Sequence, residues 1–245
     1  MAQSPHYAEA ARPSSRAIPG LWWKLLTGVW MSAGILGAFL LVGPVLNDKG
    51  EALFSMGGHG AKVFFFHMPN AWLATLTYLL AAWHAVRYLR GGSMDADRKC
   101  NASMELGLLF SILATVTGSI FAQNEWGKYW NWDPRETSII VIMLIYAAYL
   151  VLRGAIVEPV QKARLSSVYA LIALVPGLFL IWVLPRIVPT LHSEANKAVV
   201  GGGIGGQARI VFYTMIMPAF LALFVWLFQL RVRVLRLEAR HESSL

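Results

Sequence analysis

Val168-Tyr169-Ala170-Leu171-Ile172-Ala173-Leu174-Val175-Pro176-Gly177-Leu178-Phe179-Leu180-Ile181-Trp182-Val183-Leu184-Pro185-Arg186-Ile187-Val188 carries a single charge, Arg186, in 21 residues. At about 1.5 Å of rise per residue, a helix of that length crosses a hydrocarbon layer about 30 Å thick. No water in such a layer can hydrogen-bond an open backbone, so the segment must satisfy its own amides as a helix. Five more blocks of this kind occur, at about 22–46, 63–86, 104–121, 137–152 and 210–230. The expected fold is an all-α polytopic membrane protein, a bundle of six transmembrane helices. Its parts are an N-terminal tail (1–21), a six-helix membrane domain (22–230) with a tryptophan-rich loop at 122–137, and a C-terminal tail (231–245).

Composition agrees. Of the 245 residues, 57% are hydrophobic and only 14% charged, where a soluble domain carries about 25% charged residues. The net charge of +8 has no basic stripe with interleaved aromatics, which argues against nucleic acid. One cysteine, Cys100, excludes an internal disulfide, a CxxC redox pair and a cysteine zinc site. The first block is too long for a removed signal peptide and has no small-residue cleavage site, so it is expected to stay as a span.

Charge placement gives an orientation. Fourteen of the 21 Lys and Arg residues fall in or beside the two tails and the second and fourth connections. Positive charge is retained on the cytoplasmic side, so both termini are expected inside, with the first, third and fifth connections outside.

The third connection contains Trp126, Trp130 and Trp132 together with Gly127, Tyr129, Asp133 and Pro134. An interfacial aromatic belt scatters tryptophans around helix ends, as Trp22, Trp23, Trp72 and Trp182 are expected to be. Three in seven residues suggest a built aromatic platform. Asp133-Pro134 is also a helix start, with aspartate as N-cap and proline at the first helical position.

Six histidines are present. His6 and His241 lie in polar tails, and His59 lies in the glycine-rich first outer connection. His84 belongs near the inner end of the second span. His67 opens that span on the outer side, and His192 follows the fifth span on the same side. His67 and His84 are 17 residues apart on one helix, roughly 25 Å, and cannot ligate one iron. His67 and His192 can share a ligand if their helices are adjacent. Two imidazoles flanking an aromatic loop suit haem, whose porphyrin supplies four nitrogens and needs only axial ligands, an apolar wall and partners for its propionates. Lys128, Arg135 and Arg186 are the candidate propionate partners. A zinc site would need more ligands at short spacing.

The run Trp126-Gly127-Lys128-Tyr129-Trp130-Asn131-Trp132-Asp133-Pro134-Arg135-Glu136-Thr137 resembles the WWD signature of the haem-handling proteins of cytochrome c biogenesis. Length, span count and one histidine on each side of the signature resemble the CcmC family. The ending Pro134-Arg135-Glu136-Thr137 is more similar to that of the CcsA type, which keeps a short component of a cytochrome c synthase open as the alternative. The resemblance implies haem b held non-covalently at the outer face of the bacterial inner membrane, with His67 and His192 as the iron ligands. Trp126, Gly127, Tyr129, Trp130, Trp132, Asp133 and Pro134 then form the haem-binding loop. The implied partners are the haem chaperone CcmE, the small protein CcmD and the ABC-type CcmA/CcmB complex. Asp133 has two open roles, helix cap or CcmE contact. The chain has no Walker A sequence and no CxxCH site, so a haem handler is expected, not an ATPase or a c-type cytochrome. A transporter or channel gated by the aromatic loop is the remaining class, and no internal repeat supports it.

Overall fold

A computed structural model describes residues 20–43, 60–192, 206–242 and 244; His6, His59 and most of the first and fifth outer connections fall outside these. Six long helices make up the described structure: α1 (Leu21–Leu41), α2 (Phe64–Gly91), α3 (Met94–Trp126), α4 (Pro134–Ala155), α5 (Pro159–Ile187) and α6 (Gly206–Glu242). No strand occurs among the described residues. Five of the six helices are long and apolar enough to cross a membrane, making this a multi-pass membrane protein.

The exception is α2, and its position explains why. It packs most extensively on α3 and then α5, and 14 of its 28 residues are buried. Its polar side chains Asn70, Thr75, Thr77 and His84 are among those buried. A helix solvated by other helices can carry polar groups that a lipid-facing helix cannot. By contrast α1 is peripheral, touching mainly α6, and Trp22 on it is 78% exposed.

The helices outrun the hydrophobic blocks. α3 begins ten residues before position 104, and α5 begins at Pro159, where Glu158 caps it by accepting the N–H groups of Val160 and Gln161. The segment 231–242, expected as a tail, continues α6. Helix ends here are set by caps and ion pairs, not by the edge of the apolar stretch. Arg231 pairs with Glu105 and Arg236 with Asp95, fastening the extension to α3. At the same end a buried bidentate pair joins Asp97 on α3 to Arg153 on α4, at 2.8 and 2.7 Å. Tyr88 also donates to the Val160 carbonyl, tying α2 to α5.

In mid-bundle, Tyr78 of α2 stacks on Tyr146 of α4 with ring centroids 3.5 Å apart, and its hydroxyl bonds Ser111 of α3. The alternating direction of the helices then brings the start of α2, the α3–α4 connection and the end of α5 to one end of the bundle.

Candidate functional site

The α3–α4 connection is shorter than the expected 122–137. Only residues 127–133 are non-helical, and Trp126 is the last residue of α3. Gly127 makes the stop: at φ 75° it takes the left-handed cap conformation open to glycine, and its N–H donates to Gln123 O at 3.1 Å. Asp133 makes the start. Its carboxylate accepts the Arg135 N–H at 3.0 Å, and Glu136 returns the bond to the Asp133 N–H at 3.2 Å, a capping box with Pro134 at the first turn. Glu136 also accepts the Asn131 N–H at 2.7 Å, which folds the loop back on itself. The helix start read in the sequence is present, and the glutamate of the CcsA-like ending builds the loop.

The tryptophans point different ways. Trp126 packs edge-on to His192 with centroids 4.7 Å apart and also meets Phe121. Trp130 lines a cavity and meets Trp132 edge-on at 6.0 Å. Trp132 is 75% exposed and sits at φ 58°, the one non-glycine residue at positive φ among those described. That conformation costs an L-residue about 1–2 kcal/mol. A single stacked wall of three indoles is therefore not what forms: opposed loop directions turn one ring inward, one to the cavity and one to the surface. Trp72, expected in an interfacial belt, packs edge-on to Phe212.

The cavity has a volume of about 120 Å³ and lies between α2, α3, α4 and the end of α5. Both His67 and His192 line it. His67 Nδ1 is 2.9 Å from the Ala114 carbonyl of α3. A carbonyl only accepts, so Nδ1 carries the proton and Nε2 keeps its lone pair. His192 Nδ1 is 3.0 Å from Asp133 Oδ1, and the same logic leaves its Nε2 free to ligate. Orientation of a ligating histidine through its second nitrogen is the usual arrangement at metal sites. Among the described residues no cluster of three His, Cys, Asp or Glu side chains is placed to hold a metal. Two imidazoles lining one cavity fit a metal that brings most of its own ligands.

Around the two imidazoles the walls are mainly apolar, with Ala71, Ile139, Ile142, Leu180 and Ile181, and carry the polar residues Thr115, Ser119, Glu136 and Ser138 as well. Arg135 is the one cation among the lining residues. Of the other expected propionate partners, Lys128 is exposed and Arg186 lies over the Trp182 ring, its guanidinium carbon 5.3 Å from the centroid. Gly127, Tyr129, Trp132 and Pro134 do not line the cavity; Tyr129 is 63% exposed, and Pro134 serves the helix start. His84 is buried at the far end of α2, stacked on Phe228 and apart from the pair.

Four contributors were not visible in the sequence. Gly118 of α3 lies against His67, where an added Cβ would stand 2.9 Å from its Cε1. Ala114 orients that ring through its backbone, an atom that every residue possesses. Thr190 donates to both oxygens of Asp133, at 2.8 and 2.9 Å, and Leu191 N–H reaches Oδ2 at 2.7 Å. Burial by itself would raise the Asp133 carboxyl. The His192, Arg135, Leu191 and Thr190 bonds outweigh it and hold the group well below the usual carboxylate range.

Residues 9–245 match the family described as CcmC: Heme exporter protein C. A heme exporter protein C of Bradyrhizobium diazoefficiens is 31% identical over 170 residues, covering 69% of this chain and 64% of the relative. One from Paracoccus denitrificans is 28% identical over 72% of this chain and 73% of its own length. A cytochrome c biogenesis protein CcsA of Synechococcus is 28% identical over 60% of this chain and 48% of that protein. The match thus spans less than two thirds of the Bradyrhizobium relative and about half of the CcsA protein.

Proposed function

The chain belongs to the haem exporter protein C (CcmC) family, and on that premise we propose that it binds haem b non-covalently between His67 and His192 and hands it to a periplasmic acceptor. Its place is in haem handling for cytochrome c biogenesis. One observation carries the reading: two histidines 125 positions apart line one mainly apolar cavity, each with Nδ1 committed to an acceptor and Nε2 left to ligate. Trp126 and Asp133 hold His192, Trp130 and the apolar residues face the macrocycle, and Arg135 meets a propionate. The cavity, about 120 Å³, is smaller than the 300–1,000 Å³ of typical enclosed ligand sites, so a haem ligated there would project beyond it. An accessible edge lets an acceptor histidine compete for the iron.

In this reading α2 is the sixth span, shielded from lipid by its neighbours. The arginine-rich end of the bundle faces the cytoplasm of a bacterial inner membrane, with both termini, and the 127–133 loop faces the periplasm. The acceptor is the CcmE chaperone, and CcmD with CcmA/CcmB complete the assembly. The match to CcsA proteins favours a second reading, a short component of a cytochrome c synthase.

The test is the haem content and visible spectrum of detergent-purified protein beside His67→Ala, His192→Ala and the double variant. Wild type is expected to carry six-coordinate low-spin haem, and each single variant to lose or alter it. A double variant with the wild-type spectrum refutes the reading. Covalent haem appearing on an apocytochrome without CcmE would favour the synthase reading.

A further inference from the structure

The two imidazoles are backed by different groups. His67 donates to Ala114 O, a neutral carbonyl, at 2.9 Å. His192 donates to Asp133 Oδ1, a carboxylate, at 3.0 Å. That carboxylate is nearly sealed, its side chain 1% exposed, and it is kept anionic by the Arg135 and Leu191 N–H groups and the Thr190 hydroxyl. Thr190 accepts the His192 backbone N–H in turn, at 3.2 Å, so the histidine is held by its main chain and its ring. Trp126 packs edge-on against the ring, centroids 4.7 Å apart.

From this asymmetry we infer that Asp133 is the positioning residue of His192 and makes it the more strongly donating of the two axial ligands, biasing the site toward ferric haem. A carboxylate drawing on the Nδ1 proton pushes electron density onto Nε2 and so toward the iron, which stabilises the higher charge of the oxidised metal. A neutral carbonyl behind His67 does this less. Asp133 does not touch the haem. It acts by fixing the His192 tautomer, by setting ring orientation and by placing a negative charge behind the ring. The aspartate therefore has two roles joined in one side chain: it starts α4, and it fastens the end of α5 to that start. The inference rests on the haem reading proposed above.

The experiment uses full-length protein in detergent, with haem as the probe. Ferric affinity is measured by absorbance titration and midpoint potential by redox titration, for wild type, Asp133→Asn, His192→Ala and Asp133→Asn with His192→Ala. Asparagine caps helices about as well as aspartate, so the start of α4 is retained while the charge is removed. Asp133→Asn is expected to weaken ferric haem binding about 10- to 100-fold, the range for loss of a group that orients a metal ligand. Each tenfold loss confined to the ferric form raises the midpoint potential by about 59 mV. In the His192→Ala background the same change is expected to have no effect, because Asp133 acts through that ring.

An unchanged potential and ferric affinity in Asp133→Asn overturns the inference. So does an equal shift with and without His192, which is the mark of a merely structural role. If Asp133→Asn does not fold, Thr190→Val replaces it in the same cycle. It keeps the charge and loosens the clamp, and a several-fold ferric loss that vanishes without His192 is expected. If wild type binds no haem, or His192→Ala leaves its spectrum intact, the haem reading fails and takes this inference with it. A silent Asp133→Asn beside a responsive His192→Ala defeats the inference alone.

Discussion

Replacing Gly118 with alanine adds one methyl group on the face of α3 that backs His67. The new Cβ would stand 2.9 Å from Cε1 and 3.1 Å from Nδ1 of the imidazole. Unstrained carbon contacts lie at about 3.5–4.0 Å, so the ring must retreat by about 0.5–1 Å. It is not free to do so, because Nδ1 is bonded to Ala114 O at 2.9 Å on the same helix. A retreat of that size takes the bond past the limit of about 3.2 Å and carries Nε2 with it. Overpacking of this kind costs about 1–3 kcal/mol of folding stability, and displacing the ligating nitrogen weakens haem binding separately, by about 10-fold or more. The backbone pulls the other way, since alanine favours a helix over glycine by about 1 kcal/mol. The two effects separate in measurement. Thermal unfolding of the haem-free protein is expected to be unchanged within a few degrees, while haem titration weakens by about 10-fold or more and the low-spin spectrum is perturbed. Gly118→Ala binding haem with wild-type affinity and spectrum would show that α3 does not position His67.

Other perturbations test other parts of the structure. Asp97→Ala strands Arg153 near the far end of the bundle and is expected to destabilise by about 3–5 kcal/mol, seen as a lower melting temperature in detergent; the paired replacement Asp97→Leu with Arg153→Leu recovers most of it. Because the folded Asp133 carboxyl lies below its unfolded value of about 3.9, its stabilisation is fully present above about pH 5 and lost as pH falls through the folded value. Asp133→Asn is accordingly expected to flatten the acid limb of a stability profile measured from pH 6 downward, and an unaltered limb would remove the carboxylate from the account. Trp132→Gly releases a left-handed backbone and exposes no core, so melting is expected to hold or rise by up to about 1 kcal/mol of stability, with haem titration unchanged. A loss of haem affinity there would place Trp132 in the cavity wall.

Much of this protein is legible along the chain, because the causes are local. Apolar runs as long as a bilayer is thick dictate helices, the Asp133-Pro134 pair with Glu136 dictates where α4 begins, and alternating helix direction places His67 and His192 at one end. The WWD signature marks the family for the same reason: it is a contiguous string. Helix lengths are less legible, since α3 and α6 run past their apolar stretches into charged segments held by the Asp97–Arg153 and Glu105–Arg231 pairs. Only the tertiary structure decided which helices touch, and with that the site. That Asp133 faces His192, that Gly118 faces His67, and that Trp126 turns inward while Trp132 turns out depend on the rotation and neighbours of whole helices. Those are set by side-chain packing summed over residues far apart in sequence, such as Tyr78 against Tyr146, and no local pattern encodes it.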